Sequence, residues 1–437
     1  MTPEKPATFL RDLRFVLLAG SACFITYSAM YGFRKGFTAG TYDTFELSDI
    51  KFKTCMILAQ AAGYMLSKFG GIKFISELKH GRRILSILGL IALSELALAG
   101  VGFCPYPYNA VLMFFNGLPL ALIWGLVFSF IEGRRLTELL GAILASSFIV
   151  ASGMAKSVGK WLLNDVSVPE MMMPFYVGLL FTGPLLLGCY MLSRIPPPDA
   201  RDTASRSERT AMTPADRRTV MKQYGPGLVL LIAVYILLTV LRDFRDNFMV
   251  EIWKEQGYDD AGILTAAELP VAFGVLLFIG LMFAVKNNLR AFRLNLWMVA
   301  GGCGLSGLSG LLFRGGLIDP LAWMILSGFG LYLGYIVFNI MLFERMIATF
   351  RMKGNIGFLI YLADAFGYLG SAAVMVYKDF GTPPGSYSVF FEGACYLTAA
   401  VSPVLVFTAE RFFARKSRTS APSALPLTHA YELPQPL

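Results

Sequence analysis

Histidine is almost missing from this chain, whose 437 residues contain only His80 and His429. That leaves little from which to build a His-based metal site. Cysteine is sparse as well. Cys23, Cys55, Cys104, Cys189, Cys303 and Cys395 are scattered and form no C-x-x-C pair, so they read as small packing residues and not as a disulfide or metal framework. Charge is low too: Asp, Glu, Lys and Arg make up 15% of the chain, against about 25% in a soluble domain. There is no metal cluster, no G-x-S-x-G elbow and no paired-carboxylate site with a base. An enzyme is therefore the least favoured class, and no catalytic residue, metal or cofactor is expected.

What the chain has in abundance is apolar length. It is 56% hydrophobic with a mean hydropathy of +0.59. Runs of about 20 apolar residues recur throughout, each long enough to cross a hydrocarbon core about 30 Å thick. The reading is an all-α polytopic membrane protein of about 12 transmembrane helices. The spans are expected near 15–39, 54–75, 84–103, 111–131, 137–162 and 173–193, then 226–250, 264–285, 295–313, 320–343, 355–377 and 388–409. The N-terminus has no short apolar region followed by an A-x-A site, so its first span is expected to be retained.

The net charge of +9 does not point to nucleic acid, because Arg and Lys sit mainly in short turns between apolar runs. The basic turns at Lys79–Arg83, Arg134–Arg135, Lys286–Arg290 and Arg351–Lys353 all fall on one side, with the polar stretch that follows Ser193. Both termini are placed on that side, which the positive-inside rule makes cytoplasmic, in a cell inner membrane. The organisation is an N-terminal six-helix half (1–193), a cytoplasmic connector (194–223), a C-terminal six-helix half (224–410) and a disordered tail (411–437). Six plus six spans about a long central loop is the layout of two repeated halves, with a site expected where they meet near the midplane.

Charges inside the spans narrow the function. Arg34 and Lys35 lie deep in the first span, and each costs about 2.5–3.5 kcal/mol on insertion scales. Tyr27, Tyr31 and Arg34 fall at i, i+4, i+7 and share a helix face. Gln60, Tyr64 and Lys68 form a stripe in the second span, and Ser152, Lys156 and Lys160 another in the fifth. The seventh carries Tyr235, Thr239 and Arg242, followed by Asp243, Arg245, Asp246 and Asn247. The eighth adds Glu268, the tenth Tyr332 and Asn339, and the eleventh Tyr361, Asp364 and Tyr368. The first helix of each half thus holds an arginine at about the same depth. Two such guanidinium forks could bind one tetrahedral dianion. The competing reading is internal neutralisation: Arg242 with Asp246 at i, i+4, Arg245 with Asp243 or Asp246, and Lys68 with Glu268 or Asp364. Lys73 and Lys160 read as snorkelling side chains at helix ends.

Several short motifs share one likeness. Arg34-Lys35-Gly36-Phe37, Tyr64-Met65-Leu66-Ser67-Lys68-Phe69, Glu77 followed by Arg82, Leu241-Arg242 with Lys254-Glu255, and Phe366-Gly367-Tyr368-Leu369-Gly370 occur in that order. Together they resemble the major facilitator superfamily, and within it the organophosphate:phosphate antiporters. The resemblance implies a phosphate-binding pair at Arg34 and Arg242. It places Lys68, Tyr64, Tyr332 and Tyr368 at pocket positions and makes Glu268 a salt-bridge carboxylate. The chain departs from that pattern in having no histidine in 149–153, in the added charges Asp243 and Arg245, and in Glu77 where aspartate is usual.

The expected function is secondary active transport of a small organic anion, organophosphate or phosphate, by alternating access. Substrate binding is assigned to Arg34, Arg242, Lys68, Tyr64, Tyr31, Lys35, Tyr332 and Tyr368. Coupling or salt bridging is assigned to Glu268, Asp246, Asp364 and Arg245. The partners are a small anionic solute and the lipid bilayer, with no nucleic acid, and the chain is expected to act as a monomer. Two alternatives stay open. One is a transporter-fold sensor signalling through the 194–223 connector, and the other is a proton-coupled carrier using Glu268 and Asp364.

Overall fold

The computed structural model describes residues 6–47, 50–77, 80–132, 134, 136–197, 202, 214–282, 284–350, 352, 356–380 and 385–419. A backbone in hydrocarbon must satisfy its own hydrogen bonds, and this chain does so with helices. The N-terminal half comprises α1 (Pro6–Lys35), α2 (Phe52–Glu77), α3 (Arg83–Phe103), α4 (Leu112–Phe128), α5 (Thr137–Asn164) and α6 (Met173–Ser193). The second half opens with α7 (Pro214–Glu255). Its second span is α8 (Ala261–Ala266) and α9 (Glu268–Met282), broken at Ala267, and its third is α10 (Asn288–Arg314). Then α11 (Pro320–Val337) passes through a π-helical turn, Phe338–Leu342, into α12 (Phe343–Phe350). Helices α13 (Ile356–Phe380) and α14 (Tyr387–Thr419) complete it. The two-residue strands Glu46–Leu47 and Ile50–Lys51 pair as a small antiparallel ribbon after α1.

Among the described residues, ten helical segments are long and apolar enough to cross a membrane. The other two spans are α2 and α13, which carry Lys53 and Lys68 and Asp364 and Lys378. The result is a major facilitator fold of twelve spans in two six-helix halves. An even number of crossings returns both chain ends to one face, called here the termini face, and the other is the far face. The halves share one packing plan. In the first, α1 packs against α5 and α6; in the second, α7 packs against α13 and α14. They meet where α5 lies against α8 and α9 and where α2 lies against α13.

Small residues let α1 reach its neighbours. A Cβ on Gly32 would fall 2.3 Å from the ring of Phe181 in α6, and one on Gly36 would fall 2.8 Å from Val177. In lipid, such close packing replaces the hydrophobic drive that water supplies elsewhere. Polar contacts tie the same half together. Asn116 of α4 donates to Ser94 Oγ (2.6 Å) and to the Phe33 carbonyl (3.1 Å), and it accepts from Gln60 Nε2 (2.7 Å). Gln60 Nε2 also donates to the Arg34 carbonyl at 2.9 Å. These bonds fix where α1 and α2 stand beside each other.

Three boundaries differ from the expected ones. Helix α7 begins at Pro214, inside the stretch read as a connector, because Val220 and Tyr224 are buried and Tyr224 packs on Phe350 and Phe413. Glu251, just past the expected end of the seventh span, lies within α7, which runs on to Glu255. The tail expected from 411 onward stays helical to Thr419, with Phe413 buried against Phe292. Residues 420–437, most of the connector, the turn residues Arg351 and Lys353, and the side chains of Lys73, Glu77 and Tyr361 lie outside what is described.

Gly32→Val should force α6 away from α1 and cost about 1–3 kcal/mol, the scale of overpacking a well-filled core. A thermal melt of the purified protein in detergent should show a clear fall in midpoint. Gly89→Val, in α3 where a Cβ meets nothing within 4 Å, should leave the midpoint unchanged. Equal shifts would refute this packing role.

Candidate functional site

A narrow cleft of about 30 Å³ lies between the halves, walled by α1 and α2 on one side and α7 and α13 on the other. Its polar wall includes Arg34, Lys35, Gln60, Tyr64, Asp243 and Tyr368. Helical spacing on α1 puts Tyr27, Tyr31 and Arg34 together as expected. Arg34 Nη1 donates to Tyr31 Oη at 3.4 Å, and its guanidinium lies 4.4 Å from the Tyr64 ring centre. The Tyr27 ring meets Tyr31 edge-on at 5.7 Å. Arg34 Nε is buried without a hydrogen-bond partner, and no carboxylate among the described residues lies within ion-pairing distance of this guanidinium. Aromatic rings offset part of the cost of that charge.

Arg242, the counterpart in α7, is differently placed. Its Nε and Nη2 donate to Asp243 Oδ1 at 3.0 and 2.6 Å, and Nη1 donates to Tyr335 Oη. Its guanidinium also sits 4.3 Å from the Tyr335 ring centre and 5.8 Å from that of Tyr368. Tyr368 in turn faces Tyr64 at 5.8 Å, so one tyrosine pair bridges the halves between the two arginines.

Ion pairs between the halves bracket this cleft on both sides. Toward the termini face, Lys68 of α2 pairs with Asp364 of α13 and lies 4.8 Å from the Tyr368 ring centre. Tyr235 Oη donates to the other Asp364 oxygen at 2.5 Å. Toward the far face, Asp246 of α7 accepts from Lys35 at 2.7 Å and from Lys156 of α5 at 2.8 Å, with Ser152 Oγ on the same carboxylate. Lys35 Nζ also donates to Asn247 Oδ1 at 2.6 Å. Farther out, Lys53 of α2 pairs with Glu251 at 2.5 Å, and Lys160 with Asp259 at 2.6 Å. Where α5 crosses α8, Ser157 Oγ donates to the Ala261 carbonyl at 2.6 Å. Lys35 and Lys156 are only 5% and 1% exposed, so these pairs are desolvated. Such pairs cost far more to break than surface ones.

The structure brings Arg34, Lys35, Tyr64 and Tyr368 to the cleft, with Tyr31 bonded to Arg34 and the Lys68–Asp364 pair beside Tyr368. It corrects four sequence expectations. Arg242 does not pair with Asp246. Its neighbour Asp243 holds it, because the two lysines of the opposite half take Asp246. Arg245 pairs with neither Asp243 nor Asp246: its Nη1 lies 2.6 Å from Glu268 Oε1, and Nη2 donates to the Met324 carbonyl. Tyr332 is not beside Arg34. It is buried near Arg245, at 5.8 Å, and Phe148, at 6.3 Å. Lys160 forms the ion pair with Asp259 instead of snorkelling. Lys53, Lys156, Glu251 and Tyr335 were missed as interface groups. The i, i+4 step from Ser152 to Lys156 was the one available signal for Lys156. Nothing in the sequence marks Tyr335, three residues from the chosen Tyr332.

Twelve spans in two halves, joined across a polar cleft, define the architecture of the major facilitator transporters. The chain belongs to a family described as a family of unknown function, DUF5690, whose profile matches residues 36–416. No curated protein matches it in sequence. Among solved structures, a bacterial homologue of the human drug peptide transporters shares the fold with a TM-score of 0.61 at 10% identity, covering 92% of this chain and 99% of that one. A peptide transporter of the POT family in complex with sulfate gives 0.59 at 13% identity over 90% and 94%. A D-xylose-proton symporter gives 0.59 at 13% identity over 92% and 98%.

Removing Asp246 should be the most damaging single change in this network. Asp246→Asn leaves two buried ammonium groups uncompensated, whereas Lys156→Met leaves Lys35 and Asp246 as a matched pair. Losing one partner of a buried pair costs about 3–5 kcal/mol. The melting midpoint should therefore fall much further in Asp246→Asn than in Lys156→Met. Equal falls would show that Lys156 and Lys35 do not share the one carboxylate.

Proposed function

We propose that this protein is a membrane carrier for a small organic anion, working by alternating access. The observation that carries the reading is Arg34: a cation on the wall of the interdomain cleft, stacked on Tyr64, with no carboxylate in ion-pairing distance among the described residues. An intramembrane cation left over after all these pairings is a functional group by default, and an anionic solute is its natural complement. Ion pairs on both sides of the cleft supply the two closures. Opening to the far face separates Asp246 from Lys35 and Lys156, and Glu251 from Lys53. Opening to the termini face separates Lys68 from Asp364. The basic turns put the termini face in the cytoplasm.

The phosphate-ester substrate implied by the sequence resemblance draws on Arg34 and Arg242 together. In the present geometry it would have to displace Asp243 from Arg242. Proton coupling is a second reading, favoured by the position of Asp364, which joins Lys68 of one half to Tyr235 of the other. Exchange predicts uptake only against an internal counter-anion. Proton coupling predicts uptake driven by an imposed pH gradient alone.

Reconstitution into liposomes with a panel of labelled anions tests the carrier reading. Uptake should be saturable, and Arg34→Ala should lower it by about tenfold or more, the loss of one charge-assisted contact worth about 1.5–3 kcal/mol. If Arg34→Ala and the unaltered protein behave alike on every anion, the reading is wrong.

A further inference from the structure

We infer that the outer seam between α10 and α14, at the termini face, binds an anionic phospholipid, with Arg290 and Arg411 on its headgroup phosphate. The site lies on the lipid-facing surface of the second half and does not depend on the carrier reading. Three observations support it.

The first is the register of the two helices. A Cβ on Gly307 of α10 would fall 2.4 Å from the Ala399 Cβ of α14, so the helices touch closely there. Toward the termini face the Trp297 and Phe407 rings meet at 6.5 Å, and then Arg293 Nε meets Glu410 Oε1 at 3.1 Å. The helices run antiparallel, so Arg290 and Arg411 stand at the same end of the seam, each within a turn of the Arg293–Glu410 pair. Both side chains are exposed. They are held on packed helices and not on loops, because Phe292, beside Arg290, meets Phe413 edge-on at 5.3 Å.

The second is charge. Arg293 neutralises Glu410, and no carboxylate among the described residues pairs with Arg290 or Arg411. The Arg411 guanidinium lies 4.2 Å from the Phe407 ring centre, which leaves its fork of donors available. Two arginines at the membrane surface suit a phosphate oxyanion.

The third is the apolar continuation of the same seam. Leu294 and Trp297 of α10 and Val404 and Phe407 of α14 are 40%, 51%, 63% and 40% exposed, on the face that meets hydrocarbon. An acyl chain fits along them, below a headgroup held by the arginines. Trp297 and Phe407 stand at the depth where aromatic side chains mark a membrane interface. A free phosphate would use only the cations; a phospholipid uses both parts of the seam.

Tryptophan quenching by brominated acyl chains tests this on the full-length protein in detergent, because Trp297 lies in the seam. Its share of the quenching is the difference between the unaltered protein and Trp297→Phe. Phosphatidylglycerol should quench that share at about tenfold lower lipid fraction than phosphatidylcholine with the same chains, since choline cancels the phosphate charge and two surface cations act on this scale. The double change Arg290→Gln and Arg411→Gln should abolish the preference. Lys222→Gln, an exposed cation of the same face on α7, should leave it intact. All these variants should keep the melting midpoint of the unaltered protein in lipid-free detergent. The inference falls if phosphatidylcholine quenches equally, if the double change keeps the preference, or if the preference survives in Trp297→Phe. Relief of the quenching by inorganic phosphate as effective as relief by unbrominated phosphatidylglycerol would make this a site for free phosphate, and would overturn it too.

Discussion

The cost of holding cations inside a membrane governs the arrangement of this protein. Arg34, Lys35, Lys53, Lys68, Lys156, Arg242 and Arg245 all lie in spans, and each needs a counter-charge or a polar cage to be tolerated there. The solution is interdigitated across the two halves. Lys35 and Lys156 of the first half take Asp246 of the second, Lys53 takes Glu251, and Lys68 takes Asp364. Arg242 and Arg245 find carboxylates within their own half, in Asp243 and Glu268. Among the described residues, Arg34 alone of these cations is left with rings and a phenol.

Neutralisation across an interface has a mechanical consequence. Charges paired within one half would make two rigid bodies indifferent to each other. Pairing across the interface makes the relative position of the halves an electrostatic variable, because each pair exists only when its region is closed. The cleft lies between two such regions, one beyond it toward each face. In the carrier proposed above, a solute charge at Arg34 would sit one residue from Lys35, which pairs with Asp246 and Asn247 across the interface. Ligand and closure therefore act on adjacent positions of α1, and a ligand shifts such an equilibrium only through its different affinity for the two states.

Helical periodicity was a good guide wherever the partner lay on the same helix face. The steps from Tyr27 to Tyr31 to Arg34, from Gln60 to Tyr64 to Lys68, and from Ser152 to Lys156 each describe a stripe that the structure keeps on one side. Spacing failed where a group had competing partners. Asp246 stands four residues from Arg242, the geometry of a helical ion pair, yet two desolvated ammonium groups from the opposing half outcompete it. Arg242 then closes on Asp243, one residue away. Nor could spacing separate Tyr332 from Tyr335. Both are on α11, but the rotation of that helix turns Tyr335 to Arg242 and Tyr332 to Arg245.

Apolar run length, the one-sided basic turns and the inward stripes of charge are properties of the chain itself, and they determined a twelve-span helical bundle with a cationic centre. They could do so because each depends on residues close in sequence: a helix period, a hydrocarbon thickness, a turn. Which cation remains open to a ligand was settled only by tertiary structure. That outcome is a competition of cations from α1, α2, α5 and α7 for the carboxylates of α7, α9 and α13, and its winner depends on distances of a few ångströms between helices far apart in the chain. Arg34 and Arg242 look equivalent in the sequence. Asp243 makes them different in space.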